Sequence, residues 1–262
     1  VGAMKDNLFI RYFEWEEMRC YKSAKKIVVV TDSFKRTLIR RGVSETKIAV
    51  VKNGVNRTLF QPMPKDEALI DALGLKGKKV IGYIGTHGMA HKLDFILQCA
   101  KHIQGKNQWH FLFVGAGAEK ERLLKMKEEE HIDNITMLEP VPKEMVNHYI
   151  SILDVALINL KKSDLFCTVI PSKIFENAGM EIPILLGVKG EAEDIIKEYG
   201  AGLCFEPEDE EDFVVKLSML LTDEALYLSC KEGCRRLSKD FDRKNLACKM
   251  LVVIEKLLDS NN

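Results

Sequence analysis

Val80-Ile81-Gly82-Tyr83-Ile84-Gly85-Thr86-His87-Gly88 reads as a strand that ends in a glycine turn. Its apolar residues run on without a polar alternation, the pattern of a strand buried on both faces of a parallel sheet. Short apolar, β-branched runs of the same kind recur at 27–31, 48–51, 110–114, 135–138, 154–158, 182–187 and 203–205. Helical periodicity fills the spaces between and after them, at 8–22, 33–41, 93–103, 120–129, 145–152 and 243–258. Strand alternating with helix requires crossover connections, which are right-handed. The expected fold is therefore α/β, a Rossmann-like doubly wound parallel sheet.

Pro62 and Pro64 disfavour helix between the second and third strands and mark a boundary. Two strands before it are too few for a sheet covered on both faces, whereas six follow. The expected organisation is a remnant of a second Rossmann-like, N-terminal domain with its linker over 1–62, a whole domain over 63–240, and a C-terminal helix over 241–262 that returns toward the first. Val1 in place of an initiator methionine, with an amphipathic helix almost at once, reads as a piece of a longer protein from which most of the N-terminal domain is missing.

At 46% hydrophobic and 30% charged, the 262 residues can bury a core. Basic and acidic side chains number 39 each, which argues against wholesale nucleic-acid binding. The balance is local, not uniform: residues 1–60 hold 13 basic and 6 acidic side chains, a net of +7. Seven cysteines, with no Cys-x-x-Cys among them, imply reduced thiols in a cytoplasmic protein. No apolar run reaches the roughly 18 residues of a membrane span. His102, His110, His131 and His148 lack metal spacing and read as ordinary surface or core residues, and no metal is expected. The acidic run from Glu206 to Asp212 suits a helix start without any ligand.

Three stretches could carry chemistry. Gly85-Thr86-His87-Gly88 lies at a strand-to-helix turn, where backbone N–H groups favour an anion such as a phosphate. His91 and Lys92 fall in the first turn of the next helix, opposing its dipole unless a phosphate occupies the turn; the plain alternative is a βα connection with two solvated bases. Gly115-Ala116-Gly117 begins like a dinucleotide fingerprint, but Lys120 stands at its third glycine, so NAD is a poor fit. In Thr168-Val169-Ile170-Pro171-Ser172-Lys173-Ile174-Phe175-Glu176, Ser172 is suited to cap a helix that carries Lys173 at its positive end and Glu176 one turn in. A carboxylate there can accept hydrogen bonds from two vicinal hydroxyls, each worth about 1.5–3 kcal/mol. The plain reading, a capping box, wants a spacing of three where this stretch has four.

Together with 27–33 and 47–55, these strings resemble the retaining glycosyltransferases of family GT4, which have the GT-B fold; the resemblance runs essentially end to end. Residues 83–91 and 171–176 look most like the bacterial branch that includes the fucosamine transferases of O-antigen and capsule assembly. The resemblance implies transfer of a sugar from a nucleoside diphosphate to a hydroxyl with retention, without metal or other cofactor. It implies that Glu176 grips the ribose, that Gly115 and Gly117 line the nucleotide, and that Val141 and Pro142 lie near the base. The chain departs from the family pattern twice. Thr168 stands where the family has an acid, and Thr86 and His91 stand where it has the diphosphate-binding arginine and lysine. Charge neutralisation then falls to Lys173 with the 85–88 turn, helped by His91 if protonated or by Lys92. The partners implied are a nucleotide-sugar donor and, from the basic N-terminal charge, a lipid-linked acceptor at an anionic membrane face. With most of the acceptor domain missing, the chain is expected to bind donor and to be weak or inactive as a catalyst alone. A non-catalytic nucleotide-binding module and a nucleotide-sugar epimerase of the same fold are the competing readings.

Overall fold

The computed structural model describes residues 8–105 and 108–259. The chain forms two compact units, residues 1–53 with 243–262, and Gly54–Asp242.

In the smaller unit, helix α1 (Leu8–Ser23) precedes strand β1 (Ile27–Val29), helix α2 (Asp32–Arg40) and strand β2 (Ile48–Val50). The two strands pair in parallel with Ile27 opposite Ile48. Thr31, in an extended conformation, caps α2 by accepting the Phe34 N–H at 3.0 Å. Val29, Leu38, Val43 and Ile48 form a small core, and Arg41 ties α2 to α1 through Glu17 at 2.8 Å. The C-terminal helix, Arg243–Asp259, belongs to this unit.

Among the described residues the larger unit holds six strands: β3 (Lys79–Ile84), β4 (Trp109–Val114), β5 (Ile135–Leu138), β6 (Val155–Asn159), β7 (Ile184–Gly187) and β8 (Gly202–Cys204). All are parallel, in the order β5-β4-β3-β6-β7-β8. Eight helices accompany them: α3 (Glu67–Ala72), α4 (Leu93–His102), α5 (Lys120–Glu129), α6 (Val146–Ser151), α7 (Lys173–Gly179), α8 (Glu191–Tyr199), α9 (Glu210–Thr222) and α10 (Glu224–Asp240).

Successive strand residues feed two separate cores. Val80, Leu112, Val114, Ala156, Ile158, Ile184 and Leu186 enter one, while Ile81, Tyr83, Phe111, Phe113, Val155, Leu157 and Leu185 enter the other. Burial on both faces is why the strands read as unbroken apolar runs. Aspartates start the helices: Asp66, Asp209 and Asp223 accept the N–H groups of Leu69, Asp212 and Leu226. The acidic run at 206–212 is thus spent on a helix start.

Several bounds differ from the sequence reading for local reasons. Asp154 does not open β6; its carboxylate takes the Val80 N–H at 2.7 Å and Lys65 at 3.0 Å. Strand β7 begins only after Pro183, whose carbonyl still accepts the Ala156 N–H. The larger unit begins at Gly54, before the prolines: Val55 donates to the Phe241 carbonyl at 2.9 Å and Phe60 is buried in the core. Proline stops a helix but does not stop an extended segment from packing.

Candidate functional site

Between β3 and β6 the strand order reverses: the chain leaves β3 toward β4 on one side and leaves β6 toward β7 on the other. Open α/β sheets bind ligands at this point, outside the carboxyl ends of the strands. Strand β3 runs out at Ile84, so the 85–88 turn lies at that opening.

The turn is joined to its neighbour at 115–119 through backbone. Gly85 donates to the Val114 carbonyl and His87 to the Ala116 carbonyl, each at 2.8 Å, and Glu119 donates to the His87 carbonyl at 3.0 Å. The Tyr83 hydroxyl closes the turn on the Thr86 carbonyl at 2.7 Å. At Gly115, φ is 149° and any side chain would overlap the Gly85 carbonyl oxygen. Glycine is required there because two backbones meet.

Helix α7, which follows β6, brings Lys173 against Gly85, where a side chain on the glycine would overlap the lysine. The ammonium lies 5.5 Å from the centre of the Tyr83 ring, within cation–π range. Among the described residues it has no ion pair, and burial lowers its proton affinity while the nearby Glu176 carboxylate opposes that. Glu176 is half-buried, one turn further along α7. His91 packs against the same Tyr83 ring at 5.6 Å and is held below the usual histidine range by burial and then by Lys173. Asn159, the last residue of β6, donates its side-chain amide to the His91 carbonyl at 3.0 Å and fastens β6 to the turn. A side chain on Gly88 would touch both Thr86 and His91. Gly85, Thr86, Gly88, His91, Lys173 and Glu176 therefore cluster at the reversal point.

Other expected site residues behave differently. His87 is fully buried against Tyr83 and Phe113, so its backbone, not its ring, shapes the surface. Neither ring nitrogen has a partner among the described residues, and burial, followed by the charge of Lys120, lowers its pKa to about 4. Ser172 does not cap α7. Its backbone is already helical (φ −60°, ψ −25°), whereas a side-chain cap needs an extended residue. Lys92 lies before α4, not in its first turn, with φ 48°, and is paired to Asp94 at 3.1 Å, which removes it from the pool of free cations. Thr168 ends a 3-10 turn and donates its hydroxyl to the Leu165 carbonyl at 2.8 Å. Val141 packs on the core, while Pro142 is exposed at the start of a 3-10 turn. Gly117 is exposed at the crest and Gly115 is buried beneath it.

Two contributors escaped the sequence reading. Asn159 has no motif, since its role comes from lying at the end of β6. Lys120 had registered only as a break in a glycine pattern. Its ammonium is buried and donates to the carbonyls of Gly115 (2.9 Å) and Leu138 (2.7 Å). A broad open depression elsewhere in this unit is lined by Glu206, Glu208, Asp209, Glu210 and Glu211 together with Lys162 and His102, an acidic excess that disfavours a phosphate. Among the described residues no group of three His, Cys, Asp or Glu side chains is placed to hold a metal, and no helix is long and apolar enough to cross a membrane.

The sequence and the fold have counterparts in known proteins. Residues 3–59 match the family described as Glycosyltransferase Family 4. TuaH of Bacillus subtilis (strain 168), described as a teichuronic acid biosynthesis glycosyltransferase, is 27% identical over 172 residues, which is 64% of this chain and 42% of that protein. The chain thus spans less than half the length of this relative. Anabaena Alr3699/HepE, solved with UDP and glucose, shares the fold at TM-score 0.82 and 12% identity, over 94% of this chain and 67% of the other. Sucrose-phosphate synthase from Thermosynechococcus elongatus does so at TM-score 0.79 and 18% identity, over 98% of this chain and 63% of the other. Residues 65–237, the strand-and-helix core that carries the whole reversal point, match the family described as Glycosyl transferases group 1, and the chain belongs to that family.

Proposed function

We propose that the larger unit binds the nucleoside-diphosphate sugar of a retaining glycosyltransferase, with the diphosphate at the reversal point between β3 and β6. The observation that carries this reading is the Lys173 ammonium, partly desolvated, without an ion pair, against the glycine turn and one helical turn from Glu176. Lys173 supplies the positive charge that Thr86 and His91 do not. It steadies the departing diphosphate as the bond from the anomeric carbon to the phosphate oxygen breaks and the acceptor hydroxyl takes the sugar. Glu176 accepts hydrogen bonds from the ribose hydroxyls. The Thr168 hydroxyl, already donating to Leu165, keeps its lone pairs for a donor-sugar hydroxyl. The reaction needs no metal in this scheme.

The finer assignment is a cell-surface polysaccharide pathway, with an amino-sugar donor as in fucosamine transfer and a lipid-linked acceptor at an anionic membrane face. Supporting it are the 83–91 and 171–176 strings, the +7 charge of residues 1–60, and the description of the Bacillus relative.

Calorimetric titration of the chain with UDP and GDP tests the reading. Lys173→Met should weaken the preferred nucleoside diphosphate by about 10- to 100-fold, the worth of one hydrogen bond to a charged group. Glu176→Ala should weaken the ribonucleotide by a similar factor but leave the 2′-deoxy analogue much less affected. Wild-type protein that binds neither nucleotide, or a Lys173→Met variant with full affinity, would overturn the assignment.

A further inference from the structure

Lys120 sits at a position that is costly on two counts. Its side chain is 9% exposed, and removing an ammonium from water is expensive. It is also the first residue of α5, where a cation opposes the helix dipole. All three of its N–H donors are used, on the Gly115 carbonyl (2.9 Å), the Leu138 carbonyl (2.7 Å) and the Glu139 carboxylate (2.8 Å). The Leu138 carbonyl also accepts the Gly115 N–H at 3.2 Å. One ammonium therefore gathers the ends of β4 and β5 just where both strands open into crest turns.

The crest over β4 and β5 is the one joined to the 85–88 turn by backbone: Gly85 and His87 donate to the Val114 and Ala116 carbonyls, and Glu119 donates to the His87 carbonyl. The crest beyond β8 lies two strands from β6, and its Glu206 is already paired with Lys162 at 2.7 Å and Lys189 at 3.0 Å. Over β4 and β5 the crest presents the Gly117 backbone, the half-buried side chain of Val141 and the exposed Glu139 carboxylate that pairs with Lys120. A nucleotide anchored by its diphosphate at Lys173 and the 85–88 turn would extend over the β4–β5 crest, which that turn adjoins. We propose that Lys120 is a positioning residue: it locks residues 138–142 against the 115–117 turn and so shapes the seat of the donor's nucleoside. This rests on the nucleotide-binding reading above. Lys120 touches no ligand and acts through the two carbonyls it holds.

The full chain, probed with UDP and with inorganic pyrophosphate, tests the proposal by hydrogen exchange and calorimetry. In wild type, UDP should protect the amides of 115–117 and 138–142, whereas pyrophosphate should protect the 85–88 turn and leave 138–142 unchanged. Lys120→Met should weaken UDP by about tenfold and leave pyrophosphate affinity unaltered, and Lys120→Arg should restore most of the UDP affinity. Equal loss for both ligands in a folded Lys120→Met, or UDP binding with 138–142 unprotected, would overturn the proposal. If Lys120→Met fails to fold, Lys120→Gln takes its place and is held to the same split between UDP and pyrophosphate. Wild-type protein that binds no nucleotide would sink the donor-site reading and this one together; UDP binding without the split sinks only this one.

Discussion

Burial acts on three basic side chains around the Tyr83 ring, with different outcomes. Lys173 and His91 are lowered from their ordinary values by desolvation but lie against the opening, where an anion would favour their protonated forms. His87 has no such opening, and its pKa falls to about 4. That shift has a consequence for stability. Between pH 6.5 and 4 the unfolded chain binds a proton at His87 that the folded chain does not, so stability rises with pH across this window and levels off above it. The contribution lost on going from pH 7 to pH 5 is on the order of 2 kcal/mol for such a shift. His110, buried beside Thr136 and also lowered to about 4, adds a second term of the same sign. Urea unfolding at pH 5 and pH 7 should show wild type losing stability at the lower pH and His87→Gln losing less of it. The Lys173–Glu176 pair was legible in the sequence because three residues along a helix lie on one face. The burial of His87 was not, since a histidine in a glycine turn reads as exposed.

Among elements, α7 carries the site with only seven residues, Lys173–Gly179, and without a side-chain cap. Such a helix has little stability of its own and depends on packing. Phe175, fully buried between Lys173 and Glu176 in sequence, stacks on Phe241 at 4.8 Å with the rings 25° apart. Ile174 and Ala178 enter the same core as Cys234 and Leu237 of α10. Phe175→Ala should cost about 3–5 kcal/mol in chemical unfolding. Because α7 would then lose its seat, nucleoside-diphosphate affinity should fall as well, although residue 175 faces away from the opening; unchanged affinity in a destabilised variant would show that α7 is held by other means. The central strands β3, β4, β6 and β7 were legible because burial on both faces leaves an unbroken apolar signature, whereas β1, β2, β5 and β8, only partly buried, were legible from their short apolar runs. Their bounds were not, since Asp154 leaves the strand to satisfy Val80 N–H and Lys65, contacts made across 74 and 89 residues.

For the whole molecule, charge is the property with the widest reach. The formal net charge is zero, yet residues 1–60 carry +7. Helix α1 in that region exposes Phe9, Tyr12, Phe13 and Trp15, side chains suited to the boundary between headgroups and acyl chains. Each basic side chain near an anionic leaflet contributes about 1 kcal/mol, screened by salt. The chain should therefore float with vesicles containing phosphatidylserine, fail to float with phosphatidylcholine alone, and be released at high ionic strength. Flotation that ignores lipid charge would remove the membrane part of the proposal. Composition made this expectation possible; which side chains of α1 are exposed came only from the fold.

What the sequence determined by itself was the α/β class, the run of strands and helices, and the glycine turns, because each depends on local periodicity and backbone freedom. It also carried Lys173 and Glu176, whose relation is set within a single helical turn. The tertiary structure alone decided the strand order with its reversal between β3 and β6, the retreat of His87 into the core, the pairing of Lys92 with Asp94, and the burial of Lys120 between two carbonyls. Those outcomes join residues far apart in the chain, and no local pattern encodes which distant group a side chain will meet.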